Sequence, residues 1–215
     1  MNMCRSARDP MSFLTHGIGF ILSCIGLVLV LIIGIWHNAS FMHIFSASLF
    51  CISAMLLYFA SSWYHYNTSS STVIKRLRKL DHSMIYVLIA GSYTPMCILC
   101  MEPKHSIIFL SIIWGIAILG IIFKVLFINT PRWLGTSLYL LMGWMVLFDW
   151  SSFASLPQGC LMLVAMGGIS YSLGAVIYGL KWPNISKNWT FHEIFHVFIM
   201  IGTFLHYLAV INYVV

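Results

Sequence analysis

Thr190-Phe191-His192-Glu193-Ile194-Phe195-His196 opens an apolar run that continues to Val215. A helix needs about twenty apolar residues to cross a bilayer, so this stretch reads as a membrane span with two histidines in its first turns. Residues four apart share a helix face. The imidazoles of His192 and His196 therefore point the same way and could grip one Zn²⁺ at roughly 2.0–2.1 Å each. The string also fits H-E-x-x-H, in which the Glu is usually the general base of a metalloprotease. Ionisable groups at such a position are costly to bury and usually functional.

Composition extends this reading to the whole chain. Of 215 residues, 60% are hydrophobic and 7% charged, and the mean hydropathy is +0.93. A soluble domain of this size would need a charged surface. Apolar runs predict seven spans, at about 13–36, 41–65, 80–101, 106–128, 133–150, 159–181 and 190–214. The connections are short, and the 66–79 loop is the longest and most basic. The expected fold class is all-α and integral to the membrane, with residues 1–215 forming one seven-helix bundle. The first span is not a cleaved signal, because Ile18 to Trp36 is too long for a signal core and lacks a small-residue cleavage site. Cys4, Cys24, Cys51, Cys97, Cys100 and Cys160 lie mostly within spans and show no secreted-scaffold spacing. Cys97 and Cys100 read as core packing.

Charge sets the orientation. With seven spans, Arg5, Arg8, Lys75, Arg76, Arg78, Lys79, Lys124, Arg132, Lys181 and Lys187 fall on one side, and only Lys104 on the other. Positive residues mark the cytoplasmic side, so the N-terminus is expected inside and the C-terminus outside, in a plasma or inner membrane. The net charge of +6 then reflects topology and anionic lipid. Membrane lipids are the expected partners, and no nucleic-acid motif accompanies the charge.

This orientation gathers polar residues at one depth. His65 ends the second span, Asp81 and His82 begin the third, and His192 and His196 begin the seventh. His65, His192 and His196 make a three-histidine site whose fourth tetrahedral position is left for water, as in catalytic zinc. Ser61 lies one turn from His65 and could bond that water or a substrate carbonyl. His16 and His82 read as interface hydrogen-bonders. His206 sits about 15 Å deeper than His196 and reads as a buried histidine bonded to a neighbouring helix. Asp149 reads as solvated at the outer end of span five, and His37, His43 and His105 lie on the same outer side, out of reach of the cluster. Trp36, Trp150 and Trp182 sit as interface anchors do. Glu193 is open between a catalytic base and a carboxylate favoured by the helix dipole.

Leu80-Asp81-His82-Ser83-Met84-Ile85-Tyr86, continuing to Ala90-Gly91-Ser92-Tyr93-Thr94-Pro95, resembles the bacterial hemolysin III family. Ser61-Ser62-Trp63-Tyr64-His65, Thr15-His16-Gly17 and Phe191 to His196 fit the same pattern. That family is grouped with the adiponectin and progestin receptors and, more distantly, the alkaline ceramidases. The resemblance covers nearly the whole chain. It implies a seven-helix bundle holding one zinc through His65, His192 and His196, with Asp81 and Ser61 beside the metal. It also implies hydrolysis of a lipid amide. Asp9, in Asp9-Pro10, stands where the family commonly has Glu, a mild departure of one carboxylate for another that reads as having little consequence for the metal.

Three functions remain open from the sequence. One is a zinc-dependent lipid amidase in which Asp81 takes a proton and Ser61 helps hold the oxyanion. Another is a non-enzymatic hemolysin or receptor-like protein with a structural zinc. The third is an intramembrane protease relying on Glu193. A pore or transporter would place polar groups along several spans, whereas here they gather at one end.

Overall fold

In a computed structural model describing residues 7–215, every regular element is helical. Cys4 and Arg5 lie outside the described residues. The helices are α1 (Pro10–Trp36), α2 (Phe41–Tyr66), α3 (Ser71–Cys100), α4 (Pro103–Leu126), α5 (Arg132–Gly143), α6 (Trp150–Phe153), α7 (Gln158–Leu180) and α8 (Phe191–Tyr213). A 3₁₀ segment, Met145–Asp149, joins α5 to α6. Six of these helices, α1 to α4 with α7 and α8, are long and apolar enough to cross a membrane. A helix satisfies its own backbone, which is the condition for entering lipid.

Short connections make sequence neighbours into spatial neighbours. α1 packs on α2, α2 on α3, α3 on α4, α5 on α7 and α7 on α8, and α8 closes the ring against α1. Exposed Ile18, Ile21, Leu22, Ile25, Leu29 and Ile32 recur at helical spacing on α1, a face suited to acyl chains. Its opposite stripe is small. Gly19 meets the Tyr58 ring and Gly26 the Tyr207 ring, so α2 and α8 approach closely.

Two elements depart from expectation. The basic stretch expected as a loop over 66–79 is mostly helix, because α3 starts at Ser71. Its Lys and Arg residues are good helix formers, and nothing in 71–79 breaks the run. The span expected at 133–150 is interrupted after Gly143. Tyr93 of α3 staples the break: its hydroxyl donates towards Gly143 O at 2.7 Å and Met142 O at 3.2 Å, and accepts from Val146 N at 3.0 Å. The interrupted segment still runs the length of α4. Gly135 lies against Lys124 near one end of that helix, and Asp149 accepts from His105 Nε2 at 2.6 Å near the other. From Lys124 to His105 is roughly 28 Å of helical rise.

Candidate metal centre

The end of α2, the first turns of α8 and the start of α1 meet at one end of the bundle. Asp9 N donates to His65 O at 3.0 Å and Arg8 N to Tyr66 O at 3.4 Å, which ties the entry of α1 to the exit of α2. Asp9-Pro10 is a helix start by type, a cap-position carboxylate followed by proline at the first turn. Thr190 and Glu193 start α8 through a reciprocal capping box.

His65, His192 and His196 come together here, each offering a ring nitrogen within 4.8 Å of the others. His65 and His196 are buried and His192 is partly buried. The group could hold a metal ion. Hydrogen bonds behind the rings fix which nitrogen faces it. Asp9 Oδ2 lies 2.9 Å from His65 Nδ1. A carboxylate only accepts, so that nitrogen carries the proton and Nε2 keeps its lone pair. Thr15 Oγ1 lies 3.2 Å from His196 Nδ1 and gives its own proton to Ser12 O at 3.0 Å. The hydroxyl thus accepts from His196, which again leaves Nε2 as the free base. His65 Nε2 and His192 Nε2 stand 3.2 Å apart. Two nitrogens on one tetrahedral zinc would be about 3.3 Å apart, given bonds of about 2.05 Å. Three imidazoles suit zinc as donors, the His65–His192 pair has the spacing, and His65 and His196 carry the tautomer that leaves Nε2 free.

The sequence assigns Asp9 no role at the cluster, and the structure shows one. Asp9 bonds a member of the cluster directly and pairs with Arg8 at 2.9 Å. Its carboxyl is held below the ordinary value, chiefly by the His65 hydrogen bond and also by Arg8, against a smaller opposing effect of burial. Thr15 plays the matching part for His196. Such outer partners orient metal-binding imidazoles.

Glu193 is fully engaged. Its Oε2 accepts from Thr190 N at 2.9 Å and Thr190 Oγ1 at 2.6 Å, and its Oε1 accepts from Ser12. This is the helix-terminus role, not that of a free base.

A cavity of about 260 Å³ adjoins the cluster, with His16, Ser61, Asp81, His192 and His196 on its wall. Ser61 is buried and its hydroxyl has no hydrogen-bond partner among the described residues. Asp81 is buried, and its carboxylate lies 4.0 Å from His82 Nε2. His16 does not bond at the interface as expected. Its ring stacks on His196 at 3.5 Å, nearly parallel, and neither nitrogen has a hydrogen-bond partner among the described residues. His206 follows its expectation, with Nε2 donating to Val164 O of α7 at 3.1 Å. Asp149, expected to be solvated, is instead paired with His105 and bonded by Ser152. Cys97 packs fully buried in the core.

Fold and site together define a multi-pass helical membrane protein with a histidine cluster at one end. Residues 5–207 match the family model described as Haemolysin-III related, and the chain belongs to that family. It is 36% identical over 203 residues to "Hemolysin-3 homolog" of Bacillus subtilis (strain 168), covering 94% of this chain and 92% of that protein. It is 34% identical over 202 residues to "Hemolysin-3" of Bacillus cereus, covering 94% of this chain and 89% of that one.

Proposed function

We propose that this chain is a zinc-dependent hydrolase of lipid amides, a single seven-span domain of the inner membrane with its histidine end in the cytoplasm. The observation that carries the reading is the convergence of three histidines, two with fixed tautomers, beside an unpartnered Ser61 and a buried Asp81 on one cavity. The seventh crossing is supported by the run of the 135–149 segment alongside α4 over roughly 28 Å, close to the thickness of the hydrocarbon core. The cytoplasmic placement is supported by the basic residues at the histidine end, from Arg8 and Lys75 to Arg132 and Lys187.

Zinc held by His65, His192 and His196 would supply Lewis acidity towards a carbonyl and lower the pKa of a bound water towards ~7. The remaining work falls to side chains. Asp81 takes a proton on its carboxylate and passes it to the leaving amine. Ser61 donates a hydrogen bond to the carbonyl oxygen as negative charge grows there, keeping its own proton. Ile85, Leu88 and Met96 line the cavity beyond these polar groups and hold an acyl chain out of water. Membrane lipids are thus both solvent and substrate source. The protease reading loses its base, since every acceptor contact of Glu193 serves Thr190 or Ser12.

Asp81→Asn separates these roles. The variant should keep its metal yet lose turnover across a panel of ceramides and other lipid amides by about 10²–10⁴-fold. Glu193→Gln should keep most activity. A protease gives the reverse order, and a structural zinc gives no wild-type turnover. Equal rates for wild type and Asp81→Asn would remove Asp81 from the mechanism.

A further inference from the structure

Lys124 takes no part in the chemistry above. It lies two residues from the end of α4, yet it is 4% exposed and faces the cavity. A lysine at a helix end ordinarily extends its ammonium to water. Gly135 of α5 makes the inward position available, since a Cβ there would collide with Lys124 Nζ. The rings of Phe123 and Tyr139 lie 5.9 and 5.6 Å from the ammonium, at the outer limit of cation–π contact.

No carboxylate balances this charge among the described residues. The chain has five acids. Asp9 pairs with Arg8 and His65, Asp149 with His105, and Asp81 faces His82. Glu193 is bonded to Ser12 and Thr190, and Glu102 stands at the opposite end of α4. Two more cations line the same cavity. Arg78 donates one Nη2 bond to Ile128 O at 3.3 Å, leaving other N–H groups of its guanidinium, and Arg132 lies over the Tyr178 and Phe191 rings. Three basic side chains thus line a cavity with one carboxylate, Asp81, and a buried ammonium is costly unless an anion meets it.

We propose that the cavity takes an acyl lipid with an anionic phosphate head, held by Lys124, Arg78 and Arg132, with its chain along the apolar wall. Two guanidinium forks and an ammonium suit the several oxygens and charge of a phosphate. The inference rests on the cavity being a lipid site, as in the proposed function, and narrows its ligand from neutral amides to phosphate-bearing lipids. It does not depend on hydrolysis.

The test is direct binding to the full chain in neutral maltoside micelles. The probes are radiolabelled lysophosphatidate and monoacylglycerol of equal chain length, with inorganic phosphate as competitor. Lysophosphatidate should bind roughly tenfold or more tightly than monoacylglycerol, as charge-assisted hydrogen bonds predict. Lys124→Met should erase the preference without weakening monoacylglycerol, and Lys124→Arg should retain it. If Lys124→Met fails to fold, Arg78→Gln should reduce the same preference. Equal binding of the two lipids overturns the proposal, as does a preference that survives both neutralising substitutions. Inorganic phosphate competing as well as unlabelled lysophosphatidate would overturn the lipid assignment and leave a free-phosphate site. Headgroup preference without turnover of any amide sinks only the hydrolase reading. Turnover of neutral ceramide without the preference sinks only this inference.

Discussion

Asp9 and Thr15 set the proton positions on His65 and His196, and through them the direction of two lone pairs. Removing such an outer partner typically costs about 10–100-fold in metal affinity. Asp9→Ala and Thr15→Val should each weaken zinc binding by that order while retaining the helical fold, as read by chelator competition. Unchanged affinity in both would mean that the ring orientations are set by packing alone. The histidines were legible because a four-residue spacing on a helix has a direct geometric meaning. Thr15 was not, because it reaches His196 only when α1 packs on α8. Asp9-Pro10 did carry a signal. It marks the start of α1 at the same membrane depth as the end of α2, which is where His65 stands.

At the scale of elements, hydropathy located the six long helices closely, because each is a continuous apolar run bounded by polar or turn residues. It treated the fifth run as continuous because side-chain hydropathy does not register an interruption of backbone hydrogen bonding. The backbone freed after Gly143 must be satisfied within the protein, and Tyr93 does so. Tyr93→Phe should therefore destabilise the fold by about 1–3 kcal/mol, the cost of stranding buried polar groups. Thermal unfolding in detergent reads this as a lowered midpoint, and an unchanged midpoint would show that the staple carries no weight. Hydropathy also missed the first two turns of α3, since a basic amphipathic start has good helix propensity but no apolar run.

For the whole molecule, short connections put the ends of α2, α4 and α7 beside the starts of α3, α5 and α8, and α1 and α8 run parallel where they close the ring. Nearly all the basic residues lie at that end. A reporter fused after Val215 should read extracytoplasmic, and one inserted near Asn67 should read cytoplasmic. Two reporters on the same side would break the seven-crossing account. Membrane class and the direction of charge were legible from composition. The cationic wall around Lys124 was not, because it depends on which way one lysine turns at a helix end. The central claim is that α2 and α8 meet through a metal, and metal analysis of the purified chain tests it most directly. The wild type should hold one zinc per chain. His192→Ala and His196→Ala should each lose it and unfold at lower temperature, because bound metal stabilises the folded state. Full zinc retention in either variant, or a metal-free wild type purified with zinc present, would contradict it.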